Sequence, residues 1–147
     1  MIEKQGNNMS FGGKVNRAEN TALPGEGWPD LSTDEFRQLR RIPHTFDNDS
    51  LAMAVAIAAT AIQERLESLL VDGTPPELNV VKAMVYKRAV YGLAHADLLP
   101  EFATQDRRKE GESVATDEPE QAARFVTQSN QDVRLLLGRS ANGIEAI

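Results

Sequence analysis

From Asp47 to Gly73 the chain carries an apolar repeat that strongly narrows what this segment can fold into. Leu51, Val55, Ala58, Ile62, Leu66 and Leu69 recur at steps of three and four, the spacing that brings side chains to one face of an α-helix. Ala54, Ile57 and Ala61 widen the stripe, and Met53 and Ala56 leave little polar face in the first three turns. A helix that is apolar nearly all round is buried on several sides, by its own bundle or by a neighbouring subunit. Asp47 supplies the N-cap, with Asn48, Asp49 and Ser50 in the first turn and the Asp49 charge favouring the helix dipole. The spacing predicts a helix to about Val71, ended by Asp72-Gly73 with the glycine in left-handed geometry.

The flanking segments read as helices too. Ser32-Thr33-Asp34-Glu35 is a capping box, Ser32 accepting from the amide of Glu35 and the Glu35 side chain reaching back. A short helix to about Arg41 follows, with Leu31, Phe36 and Leu39 inward and Pro43 as its stop. Thr74-Pro75-Pro76-Glu77 reads as a threonine-capped start with proline at the first helical position. The stripe Leu78, Val81, Val85, Ala89, Leu93 and Ala96, broadened by Tyr86 and Val90, then predicts a helix to Leu99, stopped by Pro100. The connection between the two long helices is short, which makes them antiparallel neighbours. Phe102 to Thr116 reads as a solvated loop of mixed charge. Asp117-Glu118-Pro119-Glu120 opens a last helix with Ala122, Val126, Val133, Leu136 and Leu137 inward, ended by Gly138. With 41% hydrophobic but only 5% aromatic residues, the core is built of alanine and leucine, which suits close-packed helices. The expected fold is therefore all-α: a small bundle of a short helix, two long antiparallel helices and a last helix, with Leu51, Val55, Ile62, Val81, Val85, Leu93 and Val133 in the core. Residues 1–28, rich in Gly and Asn, read as an extended arm that is disordered when free. Residues 29–138 form the domain, and residues 139–147 a tail.

Few chemistries survive inspection. A net charge of −6 argues against gripping nucleic acid through its phosphates. The absence of cysteine excludes disulfides and thiolate metal sites and fits a reducing cytosol. No apolar stretch approaches the roughly 20 residues of a membrane span, and Met1-Ile2-Glu3-Lys4 does not open a secretory signal. His44 falls in a loop, and His95 reads as a helix-surface histidine. Asp97, two residues on, faces elsewhere, so no metal site is expected. Asp47-x-Asp49 continues into Ala52 and Ala58 where a calcium loop needs glycine and glutamate, and a helix cap explains both acids. Gly12-Gly13-Lys14 lacks the leading glycine and following hydroxyl of a phosphate loop. Arg37, Arg40 and Arg41, like Arg107-Arg108-Lys109, are flanked by acids and read as ion-paired, solvated surface. Lys87-Arg88, inside an otherwise apolar helix, must find solvent, acids or a subunit boundary. Nothing points to an enzyme or to a cofactor.

Gly27-Trp28-Pro29-Asp30, the short capped helix with Phe36-Arg37, the alanine-rich helix and above all Val85-Tyr86-Lys87-Arg88-Ala89-Val90-Tyr91 resemble the head completion (GPL) family of contractile-tailed phages. The resemblance runs from about residue 27 to 140, ending on Gly138-Arg139. It implies a structural virion protein of the neck, assembled in the host cytoplasm: a ring of twelve subunits under the portal protein that extends the DNA channel and receives the next connector or tail completion protein. Genomic DNA would pass without specific binding, as the acidic balance allows. Ring contacts are then expected at Met53, Ala56, Tyr86, Lys87 and Arg88. The tail is expected to dock on the portal through Arg139, Asn142, Ile144 and Ile147. The rival readings are a small helical DNA-binding or regulatory protein, which the last helix disfavours by setting Arg124 and Arg134 against Glu118, Glu120 and Asp132, and an enzyme subunit or lid domain, for which no site argues.

Overall fold

Small polar side chains start three of the helices in this chain. The computed structural model describes residues 19–110 and 118–139, the side chains of residues 107–110 excepted. Its helices there are α1 (Thr33–Arg40), α2 (Asn48–Arg65), α3 (Val80–Glu110) and α4 (Glu118–Leu136), and two-residue strands β1 (Ala22–Leu23) and β2 (Leu31–Ser32) pair antiparallel. The expected all-α bundle is present. Ser32 Oγ accepts from the Glu35 amide at 3.0 Å and Asp47 Oδ2 from the Ser50 amide at 2.9 Å, as the caps predict. Gln63, near the end of α2, meets Tyr86 near the start of α3, while Phe46, just before α2, meets Phe102 far along α3. The two long helices are thus antiparallel.

Several boundaries differ from expectation, each for a local reason. The ordered body begins before Trp28, because Leu23 pairs with Leu31 and Thr33 donates its amide to the Thr21 carbonyl; residues 1–18 lie outside the described residues. Helix α1 stops on Arg41, which takes left-handed geometry (φ 57°) while the Ile42 amide returns to the Arg37 carbonyl, two residues ahead of Pro43. Helix α2 ends at Arg65 and passes through a 3-10 turn, Glu67–Leu69. Asp72 (φ 52°) and Gly73 (φ 76°) instead form a tight turn closed by two 2.9 Å bonds between Val71 and Thr74, the pairing that two positive-φ residues favour. Thr74 is occupied there, so Asn79 caps α3, accepting from the Lys82 amide at 2.8 Å. Helix α3 runs on through Pro100. The proline removes only one hydrogen bond, and beyond it Phe102 is buried against Phe46 with ring centres 4.0 Å apart. The expected loop from Phe102 is therefore helix to Glu110.

Helix α4 packs along α3 more extensively than any other pair, and α2 covers a second side. Of the expected core, Leu51, Val55 and Ile62 are fully enclosed and Val133 nearly so, while Val85 and Leu93 are partly buried against them. Val81 (66% exposed) and Leu39 (60%) are not core residues; the enclosed part of α3 starts only at Tyr86. Ile62 has no exposure at all. Ile62→Ala is expected to lower stability by about 2–5 kcal/mol, from lost transfer energy and the cavity left behind, measurable by chemical denaturation.

Candidate assembly interface

The six residues from Tyr86 to Tyr91 reach each of the other three helices and the segment that carries Trp28. Trp28 stacks on Tyr86 (ring centres 5.4 Å apart, planes within 9°), and Gln63 Nε2 of α2 donates to the Tyr86 hydroxyl at 2.8 Å. Gly27, at φ 107°, lets the chain turn into that stack; a Cβ there would lie 2.8 Å from the Pro75 ring. Lys87 pairs with Glu35 of α1 at 2.9 Å. Arg88 grips Asp132 of α4 with two bonds, 3.0 and 2.8 Å. One residue on, Ser129 Oγ donates to the Ala89 carbonyl at 2.8 Å. Tyr91 donates to Glu35 Oε1 at 2.7 Å and accepts from the Ser32 amide at 3.1 Å. That last contact replaces the second half of the capping box: Glu35 turns to Tyr91 and Lys87 rather than back to Ser32. Burial first, then the bond to Glu35, pushes the Tyr91 hydroxyl upward, and burial raises Tyr86 as well.

Two arginines expected on solvated surface are structural instead. Arg37, 5% exposed, donates to the carbonyls of Pro43 and Phe46 at 2.8 Å each and so shapes the loop between α1 and α2. Arg40 donates through Nε to His95 Nδ1 at 3.0 Å and lies 4.6 Å from the centre of the Phe125 ring, a cation–π geometry. His95 is correspondingly no surface residue: Phe36, Phe102 and Phe125 surround its ring. Burial, then the Arg40 charge, pushes it down to about 4. Burial and then Arg88 push the Arg40 guanidinium down too, and no described carboxylate pairs with it. Among the described residues no three His, Asp or Glu side chains come together as metal ligands, and no described helix is long and apolar enough to cross a membrane.

Among the described residues, two apolar surfaces stand out as uncovered. One is the outer face of α2, where Met53 (66% exposed) and Ile57 (57%) stand beside exposed Ala56 and Thr60. The other is a groove of about 360 Å³ between α1 and α3, walled by Leu39, Met84 and Tyr91 with Glu35, Arg40, Lys87 and Arg88 at its edges. Of the residues expected at a ring contact, Met53 and Ala56 are on the first surface and Lys87 and Arg88 border the second. Tyr86 is fully enclosed by its own chain and has no surface to offer a neighbour. Arg139 is turned back at the end of α4, its amide donating to the Arg134 carbonyl at 2.7 Å; Asn142, Ile144 and Ile147 lie outside the described residues. Reading the sequence placed Leu39 inward and Arg40 on solvated surface, and did not single out Met84. The signal for Met84 is the leftover apolar group Val80, Val81 and Met84, visible once Asn79 rather than Thr74 is taken as the cap.

The sequence profile of the phage head completion protein (GPL) family matches residues 25–147, from the glycine turn before Trp28 through the end of the chain. The chain belongs to that family. A protein of Haemophilus phage HP1 (strain HP1c1), described as a probable head completion/stabilization protein, is 26% identical over 113 residues, covering 67% of this chain and 75% of that protein. No solved structure matches. Family membership makes this chain a phage head completion protein, a structural component of the virion that works with other head and tail proteins.

Two outcomes follow from the geometry of this head completion protein. Asp132 is 1% exposed and Arg88 is its ion-pair partner, so Arg88→Met leaves a buried carboxylate alone. The expected loss is about 3–5 kcal/mol, with Asp132→Asn in the same chain restoring much of it, both read from denaturation midpoints. His95 takes a proton near its ordinary 6.5 when unfolded but only near 4 when folded. Stability is therefore expected to fall as pH drops across that window, by about 1–2 kcal/mol for a partly exposed site. His95→Gln, which keeps an acceptor for Arg40 but does not titrate, should flatten that part of the pH–melting profile.

Proposed function

We propose that this head completion protein assembles as a ring, of twelve subunits, beneath the portal of the filled head, extends the DNA channel and receives the next connector or tail completion protein. The observation that carries the reading is the match of the GPL family over residues 25–147, which takes in all four helices. The uncovered apolar faces give a physical reason for self-association, since contiguous exposed apolar surface on a small protein marks a contact site. Met53, Ala56, Lys87 and Arg88 are the ring residues in this reading. The acidic balance of the chain, −6, suits a passage that DNA slides through without being held. Arg139, Asn142, Ile144 and Ile147 are the portal contacts, polar and apolar anchors separated by Gly143. Assembly takes place in the host cytoplasm and the protein ends in the neck of the virion.

Two variants of the full chain separate ring from portal contact. Met53→Asp places a charge on a 66% exposed position, so circular dichroism and melting should match wild type while rings disappear from sedimentation and from images of the neck. Deleting Ile144 to Ile147 should keep helicity and melting but abolish co-sedimentation with portal. Normal rings from the first variant, or saturable portal binding by the second, would overturn the respective assignment.

A further inference from the structure

The two uncovered surfaces have matching chemistry. On α2, Asp49, Met53, Ala56, Ile57, Thr60 and Glu64 fall within one helical face at the 3.6-residue period, and all six are exposed. Its charges are only acidic, and none of the ion pairs at described residues involves Asp49 or Glu64. In the groove between α1 and α3, Lys87 is neutralised by Glu35 and Arg88 by Asp132. Arg40 is left as a half-buried cation with no carboxylate, between the exposed apolar side chains of Leu39 and Met84. Among the described residues, one surface is an apolar ridge edged by acids outside any ion pair, and the other an apolar groove holding a cation that His95 and Phe125 position but no carboxylate neutralises. They share no residue.

We propose that the α2 ridge of one copy seats in the α1–α3 groove of the next. Ile57 and Met53 lie against Leu39 and Met84, and Glu64 supplies the carboxylate that Arg40 lacks. The inference rests on the ring reading and deepens it by naming the two faces that meet. A contact between two different faces of identical chains is head-to-tail and builds a closed ring when the rotation between copies closes. Ridge against ridge would bring Asp49 and Glu64 of two copies together, and groove against groove would oppose two Arg40 charges, so the charges favour the unlike pairing.

The chain has no cysteine, so Ile57→Cys and Met84→Cys can be introduced singly and together at exposed positions. Phage heads assembled with each full-length variant are treated with a short thiol-to-thiol cross-linker, and the copies of the chain per head are counted by quantitative mass spectrometry. The double variant should give a ladder of covalent multiples. Each single variant should stay monomeric, and heads assembled from the two single variants together should give dimers and nothing longer. Dimers from one single variant alone would show like faces meeting and overturn the pairing. Cross-linking of Met84→Cys to portal rather than to Ile57→Cys would overturn it by giving the groove to another partner. No ladder in heads that carry several copies would overturn the pairing while leaving the ring intact. Heads carrying one copy would overturn the ring reading itself, and the pairing with it.

Discussion

The Tyr91 hydroxyl, 2.7 Å from Glu35 Oε1 and 3.1 Å from the Ser32 amide, ties the first turn of α1 to the middle of α3 at a side chain with no exposure. A chain of placements follows from it. Glu35, held there by one oxygen, offers the other to Lys87 at 2.9 Å. Phe36, the next residue, stacks on the Tyr91 ring at 5.3 Å, which fixes the rotation of α1 about its own axis. That rotation sends Arg37 down into the loop toward α2, where it holds the carbonyls of Pro43 and Phe46, and sends Arg40 across to His95 and Phe125. A short helix of eight residues is marginal alone; this one is held by side chains from two longer helices.

Where side chains act within a few residues of themselves, the sequence was a good guide. Ser32 and Asp47 cap the helices they were expected to cap, and the stripe Leu51, Val55 and Ile62 is core. Legibility ends where a distant partner outbids a near one. Glu35 leaves its own helix start for Tyr91, a residue 56 positions away. Thr74 closes a turn on Val71 instead of capping α3, and Pro100 fails to stop a helix because Phe102 beyond it finds Phe46. The misplaced cap goes with a misassigned first turn of α3: the stripe from Leu78 puts Val81 in the core, whereas it is 66% exposed. Arg37 and Arg40 look like surface charges in a polar run. Only the loop carbonyls of Pro43 and Phe46 make Arg37 interior, and only the aromatic box around His95 draws Arg40 half inside.

The motif Tyr86 to Tyr91 explains how so alanine-rich a protein acquires a single packing arrangement. Small side chains such as Ala54, Ala58, Ala89 and Ala94 let helices approach closely but discriminate poorly between registers. Directional contacts supply the discrimination. Arg88 fits Asp132 in a two-bond fork, which tolerates little sliding of α4 along α3. Ser129 adds a bond to the Ala89 carbonyl on the same side of α3. Gln63 and Trp28 hold Tyr86 from the other direction. Each interaction contributes a modest net stability, but sliding any one helix breaks several at once.

This division of labour shapes the surface as well. Lys87 and Arg88 carry charge onto the edge of the groove, and both are neutralised there by acids of the same chain. Among the described residues, the charges at these two faces that have no ion-pair partner are unlike: Asp49 and Glu64 on α2, Arg40 in the groove. For the proposed ring to form, its subunits would have to avoid every like pairing and associate in one geometry only. Two apolar faces free of charge would pair in any combination, including like with like, and would aggregate. Acids on one face and a cation on the other raise the cost of every like pairing while leaving the unlike one favourable. The same ion pairs that fix the register of α1, α3 and α4 therefore decide which charges are left over, and with them the sense in which copies would meet in the proposed ring.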